Sequence, residues 1–277
     1  MGKIIWIASF PKSGNTWMRA FLANYILKQK ASYPINELGS FSLRDTRPRL
    51  FQEASGKPVE QLSTIDTLKL RLKCQKLIAE FKNHDHFVKT HSRYGTFKGH
   101  SLINDRVSKG AIYLVRNPLD LVISYAAHLG VSIDEAIEAM NGSQNFTVEA
   151  DSNVVTVMGS WSEHADSWLT NKSVPRILVR YEDLVKDPSK EFGRVISTLG
   201  MEIDHDQLNN AVGFSSFSEL ARQESVSGFR ERPPHAKQFF WQGVSGQWND
   251  ILKRSQVQKI IGTHGNVMAK LGYETSV

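Results

Sequence analysis

Residues 4–17, Ile4-Ile5-Trp6-Ile7-Ala8-Ser9-Phe10-Pro11-Lys12-Ser13-Gly14-Asn15-Thr16-Trp17, constrain the fold more than any other stretch. The run from Ile4 to Ala8 is continuously apolar, the pattern of a strand buried on both faces of a parallel sheet. Pro11 and Gly14 break it. Trp17, Met18, Phe21, Leu22, Tyr25 and Ile26 then recur at helical spacing. A strand that turns sharply into a helix aims unpaired backbone N–H groups, and the positive end of the helix dipole, at one spot. With Lys12, Ser13 and Thr16 in the turn, that spot suits an anionic phosphate or sulfate. The plainer alternative is a structural strand–turn–helix whose Lys12 is solvated.

The stretch differs from the phosphate loop GxxxxGK(S/T) because its lysine precedes the glycine. A chain of 277 residues suits a single α/β domain over 1–277. Its net charge of +6 fits a polyanionic small molecule and is too small and dispersed for a nucleic-acid partner. Cys74 is the one cysteine, so no intrachain disulfide can form and a reducing, cytoplasmic setting is expected. It lies in a helical pattern and reads as a buried or surface thiol rather than a nucleophile. The N-terminal apolar run ends at Pro11, so neither a signal peptide nor a membrane span is expected.

After the first helix, residues 31–56 mix Pro, Ser, Arg and Gly without periodicity and read as a long irregular region. Helical spacing returns over 64–81. Phe87-Val88-Lys89-Thr90-His91 reads as a short strand, and 111–115 as a second buried strand closed by Arg116-Asn117-Pro118. Pro118 suits the first turn of a helix that carries Leu119, Val122, Ile123 and Ala126. The pattern predicts a flexible loop over 142–153, a helix over 154–169 anchored by Trp161 and Trp168, and a strand over 176–180 followed by Tyr181. Helices are expected around 192–199, 204–212 and 216–224. A loop that folds over something covers 225–250, and a last helix runs through Val257 and Met268. Alternating strands and helices imply a parallel sheet flanked by helices, with ligands beyond the carboxyl ends of the strands. Lys12, His91, Arg116 and Tyr181 each follow a strand and so share an address. Singly, His91 would more often be a hydrogen-bonded structural histidine, and Arg116 an ion-pair partner.

Phe10-Pro11-Lys12-Ser13-Gly14-Asn15-Thr16-Trp17, Val88-Lys89-Thr90-His91, Leu114-Val115-Arg116-Asn117-Pro118-Leu119-Asp120 through Ser124-Tyr125, and Arg180-Tyr181-Glu182-Asp183 stand in that order along the chain. In this sequence they resemble the successive motifs of the PAPS-dependent sulfotransferases, closest to soluble cytosolic-type and bacterial small-molecule members. Gly159-Ser160-Trp161 with His164 and Trp168, and the stretch 243–248, add to the likeness, which runs from about residue 4 to residue 250. The resemblance implies the P-loop-kinase-like sulfotransferase fold. It also implies transfer of a sulfuryl group from 3′-phosphoadenosine 5′-phosphosulfate (PAPS) to an acceptor hydroxyl or amine by in-line displacement, leaving PAP, without a metal. Such a step needs a base, cationic stabilisation of the leaving phosphate and firm placement of both reactants. By the resemblance, the catalytic set is Lys12, His91, Lys89 and Ser124. His91 takes the acceptor proton, Lys12 stabilises the leaving phosphate and Lys89 steadies the sulfuryl oxygens. Ser13, Gly14, Asn15 and Thr16 hold the 5′-phosphate. Arg116 and Ser124 match the pair that binds the 3′-phosphate. Trp17 and Phe217 match positions that sandwich adenine, Tyr181 and Ser215 match positions near its edge, and Gln242 and Gly243 fall in the late motif. Trp17 fits the core stripe of its helix equally well.

The sequence departs from the family pattern in three places. The late motif usually carries Arg-Lys-Gly, whereas this chain reads Trp241-Gln242-Gly243, which removes two cations; Lys237, Arg230 and Arg232 are candidates to replace them. The stretch between Lys12 and His91 is long, so 31–81 is a candidate acceptor cap beside 141–153 and 225–240. No stretch matches the C-terminal dimerisation motif of animal cytosolic members, which leaves the oligomeric state open. The partner implied is a small-molecule or glycopeptide-like acceptor, with no nucleic acid and no membrane. The alternatives are a P-loop-type nucleotide kinase, which would need GxxxxGK(S/T), and a PAP(S)-binding protein without catalysis, which Trp241-Gln242 favours.

Overall fold

A computed structural model describes residues 2–143, 145–148, 152–240 and 243–276. The apolar run forms β1 (Ile4–Ser9), buried along its whole length. Next come β2 (Ser42–Arg44) and β3 (His86–Thr90). A small ladder of β4 (Thr96–Phe97) and β5 (His100–Ser101) follows, then β6 (Ser108–Val115). The remaining strands are a hairpin of β7 (Phe146–Val148) and β8 (Val155–Val157), and β9 (Arg176–Arg180). Five strands make the central sheet in the order β2-β3-β1-β6-β9. β1 lies in the middle, which explains why it can carry Ile, Trp and Ala with no exposed face. It pairs in parallel with β3, Ile4 opposite His86 through Ala8 opposite Thr90, and β2 pairs in parallel with the other edge of β3. This is the α/β architecture, with helices flanking a parallel sheet, that the alternating pattern implies.

The chain forms two compact units. The first comprises Met1–Phe10, Ser42–Tyr113 and Ala139–Leu178; the second comprises Pro11–Phe41, Leu114–Glu138 and Val179–Val277. In the first, the helix Thr64–Glu80 opens on a capping box between Ser63 and Asp66. It packs Cys74 with Phe51, Ala54, Val59, Leu62 and Val154. Cys74 is buried, and burial pushes its thiol up to about 12, so it is inert as a nucleophile. Arg71 on the same helix makes a buried ion pair with Asp45 at 2.6 Å. In the second unit, the helix Asn15–Ile26 stacks Phe21 on Phe192 at 3.9 Å between centroids. Ala20, Ala23, Ile35, Leu38, Leu220, Phe229 and Phe240 form a shared apolar cluster. Among the described residues, no helix is long and apolar enough to cross a membrane.

Two sequence expectations are corrected. Residues 31–56 are not irregular: they hold β2 and the helix Pro48–Ser55, whose Phe51 and Ala54 are core. β2 is too short to leave a period-2 signature and exists through its pairing with β3. The helix expected over 154–169 starts only at Trp161, because Val155-Thr156-Val157 pairs with Phe146-Thr147-Val148 as an antiparallel hairpin. β-branched side chains lose rotamer freedom in a helix and pack well on a pleated surface. The true helix start is a capping box: the Glu163 N–H donates to Ser160 Oγ at 3.2 Å, and the Ser160 N–H to Glu163 Oε2 at 2.8 Å. Of the loop expected over 142–153, Gln144 and 149–151 lie outside the described residues.

Candidate active site

The turn after β1 adopts backbone conformations that few sequences tolerate. Lys12 has φ 68° and Gly14 φ 97°. An ideal Cβ on Gly14 would lie 3.0 Å from Tyr181 Cδ2, so both the backbone and the neighbouring ring call for glycine there. Gly14 is also the N-cap of Asn15–Ile26 and supplies no side-chain acceptor to the first-turn N–H groups. Ser13 is fully buried, and its Oγ has no hydrogen-bond partner among the described residues. A buried hydroxyl without a partner costs about 1–3 kcal/mol, so this is an atom that an anionic ligand would satisfy. Asn15 and Thr16 are buried beside it. Trp17 is half-buried, edge-on to Tyr181 at 6.0 Å and to Phe192 at 5.5 Å, and it packs on the apolar cluster. Its Nε1 is buried with no partner among the described residues.

Arg116, buried after β6, is held in the same unit. Its guanidinium lies 4.3 Å from the Tyr181 ring centroid and donates to the carbonyls of Lys12 at 3.4 Å and Val244 at 3.0 Å. Asn117 caps the helix Pro118–Leu129 through its side chain, which accepts from the Leu119 N–H at 3.0 Å. The Asn117 N–H donates to Glu182, whose carboxyl burial raises above the usual range. Ser124 sits half-buried on that helix. Asp120, one turn from the cap, accepts from the Gly246 N–H at 2.6 Å and the Trp248 N–H at 3.1 Å. Arg116 and Asp120 thus tie down the loop after Gly243 by a carbonyl and two N–H groups. Gly243 itself, at φ 68°, rests against the Phe217 ring so closely that a Cβ would collide with it. Ser215 is buried and donates to the Ala211 carbonyl at 2.7 Å, which leaves its lone pairs available as acceptors. Gln242 lies outside the described residues, as does Trp241.

His91 and Lys89 belong to the first unit. Lys89 is half-buried on β3. His91 Nδ1 lies 2.7 Å from the Ser9 carbonyl oxygen and 3.3 Å from Ser9 Oγ. A carbonyl oxygen can only accept, so Nδ1 carries the proton and, in the neutral ring, Nε2 holds a lone pair. That is the form a proton acceptor requires.

A family model described as a Sulfotransferase domain matches residues 3–272. The chain belongs to the sulfotransferase family. Mouse (Mus musculus) sulfotransferase 1B1 is 25% identical over 57% of this sulfotransferase, an alignment that spans 54% of the mouse protein, about half its length. Rat (Rattus norvegicus) sulfotransferase 1A1 is 21% identical over 97% of the chain and 85% of its own length. Flavonol 3-sulfotransferase of Flaveria bidentis is 22% identical over 92% of the chain and 78% of its own length. Among solved structures, retinol dehydratase in complex with androsterone and PAP superposes with a TM-score of 0.65 at 16% identity, covering 96% of this chain and 80% of that one. Mouse sulfotransferase SULT7A1 complexed with PAP gives 0.60 at 18% identity, covering 96% and 84%. These likenesses establish the sulfotransferase fold.

Sequence reasoning missed several neighbours of the sulfotransferase motifs. Lys12 Nζ lies over the Phe239 ring, 3.7 Å from its centroid. Phe239 is set in turn by buried Glu224, whose carboxylate accepts the N–H groups of Phe239 and Phe240 at 2.8–2.9 Å. Arg19, fully buried on the first helix, donates to Glu231 at 2.8 and 3.1 Å. Segment 229–240 is therefore anchored at both ends. Of the cations suggested to replace the missing Arg-Lys, Arg232 faces Glu224 at 3.6 Å, while Arg230 and Lys237 are exposed. The Phe-Phe step before Trp241 was a signal available in the sequence: two consecutive aromatics in a glycine-rich loop are more than a flexible lid needs.

Proposed function

We propose that this protein is a PAPS-dependent sulfotransferase that sulfates a hydroxyl or amine of a small-molecule acceptor. The observation that carries the reading is the 2.7 Å approach of His91 Nδ1 to the Ser9 carbonyl, which calls for the Nδ1–H tautomer, within a chain that belongs to the family. The residues fit an anionic adenine nucleotide: an orphaned Ser13 hydroxyl, a helix start without a side-chain cap, and the Arg116 guanidinium beside Tyr181. Ser13–Thr16 would hold the 5′-phosphate, Arg116 with Ser124 the 3′-phosphate, and Trp17, Phe217, Tyr181, Ser215, Gln242 and Gly243 the adenosine. PAP bound in two structural relatives supports this donor, and the flavonol in the name of the Flaveria bidentis relative supports a small hydroxylated acceptor.

The donor supplies an activated sulfuryl group, so that a bond from sulfur to the acceptor oxygen forms as the sulfur–phosphate oxygen bond breaks. His91 Nε2 accepts the acceptor's proton, a contribution of typically about 10²–10⁴-fold. Lys12 neutralises the charge left on the phosphate oxygen, and Lys89 steadies the sulfuryl oxygens. The single cysteine, which allows no intrachain disulfide, is in keeping with a reducing, cytoplasmic setting.

A labelled-PAPS transfer screen across phenols, steroid-like alcohols, sugars and glycopeptides tests the reading, with His91→Ala as control. The expected result is transfer to at least one class, lost in His91→Ala while PAP binding persists. Trp241-Gln242 in place of two cations favours one second reading, a PAP(S)-binding protein without catalysis. PAP binding with no transfer to any class would establish that reading instead. Binding of ATP but not PAP would point to the kinase.

A further inference from the structure

His164 is fully buried on the helix Trp161–Thr170, yet both of its ring nitrogens are engaged. Nε2 lies 3.2 Å from the carbonyl oxygen of His91, and Nδ1 lies 3.0 Å from the hydroxyl of Tyr113 on β6. The carbonyl accepts only, so Nε2 must carry the proton. Burial pushes the ring's pKa down to about 3 and keeps it neutral, so Nδ1 is bare and receives the Tyr113 O–H. One turn along the same helix, Trp168 donates Nε1–H to the carbonyl of Ser92 at 3.1 Å. Consecutive carbonyls, those of His91 and Ser92, are thus fastened to one face of one helix. Phe10 packs edge-on against His164 at 5.7 Å, and the Tyr113 ring stacks on it at 5.8 Å. From the other direction the His91 imidazole is tied to Ser9.

We propose that His164, held as the Nε2–H tautomer by the His91 carbonyl it donates to, is a positioning residue for His91. Its hydrogen bond fixes the peptide plane from which the His91 ring reaches the Ser9 carbonyl, and so fixes which nitrogen of His91 is unprotonated. The proposal rests on the reading of His91 as the base. A loop fastened only for stability would lose folding free energy without a change in the His91 tautomer. A misplacement of about 1 Å at a reacting group costs on the order of 10²-fold, so a loosened peptide plane reads out in turnover.

The test is ring-¹⁵N NMR of His91 in the full chain, with PAPS transfer kinetics on the acceptor class that turns over best. The wild type is compared with His164→Phe, His164→Gln and the near-isosteric Tyr113→Phe. Wild type should show His91 protonated at Nδ1. In His164→Phe the His91 signals should shift toward a mixture of tautomers, and kcat should fall roughly 10- to 100-fold with KM for PAPS within about twofold. His164→Gln, whose amide N–H can still reach the His91 carbonyl, should recover most of that loss. Tyr113→Phe leaves the buried Nδ1 of His164 without its hydroxyl partner while the donor to the His91 carbonyl stays, and should give a smaller fall. An unchanged His91 tautomer across the variants overturns the proposal, as does a His164→Gln as slow as His164→Phe. Should His164→Phe fail to fold, His164→Met, which likewise lacks an N–H donor, takes its place under the same criteria. If the wild type transfers nothing but the variants still shift the His91 tautomer, the positioning stands and the base role falls.

Discussion

Replacing Gly14 by alanine tests whether the turn, the Tyr181 ring and the Arg116 guanidinium work as one assembly. At φ 97° an L-residue is strained, at a cost of about 1–2 kcal/mol. The new Cβ would sit 3.0 Å from Tyr181 Cδ2, against about 3.5–4.0 Å for a relaxed carbon contact, so the ring must move by about 0.5 Å or more. Overpacking of that kind adds about 1–3 kcal/mol. Tyr181 cannot yield freely, because Arg116 lies 4.3 Å from its centroid and Trp17 meets it at 6.0 Å. Arg116 is itself tied to Val244, so the shift passes into the residue proposed to hold the 3′-phosphate. The sum is about 2–5 kcal/mol of stability, with a PAP affinity loss on the order of tenfold, or about 1.4 kcal/mol. Urea titration and calorimetric PAP binding measure the two separately. A Gly14→Ala protein that is destabilised yet binds PAP like the wild type would refute the coupling. One unchanged in both would refute the strain argument as well.

Asp120→Ala removes a charged acceptor from the Gly246 and Trp248 N–H groups; each such bond is worth about 1.5–3 kcal/mol, and PAP affinity should fall at least about tenfold in calorimetry. Phe239→Leu deletes the ring under the Lys12 ammonium, a cation–π contact worth roughly 0.5–2 kcal/mol, and should lower kcat several-fold with the Tm little changed. Asp45→Ala leaves the buried Arg71 charge uncompensated and should cost about 3–5 kcal/mol in urea unfolding, whereas the double variant Asp45→Ala/Arg71→Met should recover much of it. Burial holds His164 at about 3 and His264 at about 4, below the ordinary value of about 6.5, so the unfolded chain takes up protons first. Stability is then full above about pH 7 and falls as pH drops from 6.5 towards 4, by about 1.4 kcal/mol per unit for each histidine, a slope that His264→Leu should roughly halve.

The parts of this molecule legible in the sequence are those whose cause is local. β1, the Gly14 turn and the Pro118 helix each carry their own signal in apolar run, backbone demand or capping residue. β2 does not, because its three residues become a strand only by lying along β3. The Val154–Val157 run failed for a related reason: a short apolar segment fits strand or helix, and its partner Phe146–Val148 decided the matter. The same division runs through the candidate site. Lys12, His91 and Arg116 are marked by residue type beside a strand end, but what sets their geometry is remote in sequence. Phe239 faces Lys12 because Glu224 pins its N–H, and the His91 carbonyl is held because buried, neutral His164 donates to it from Nε2 while Tyr113 partners its other nitrogen. These partners carry no charge to the ligand and take no proton from it, so a search by catalytic residue type passes over them. The features that select one tautomer and one ammonium position lie in the packing around the motif rather than in the motif itself.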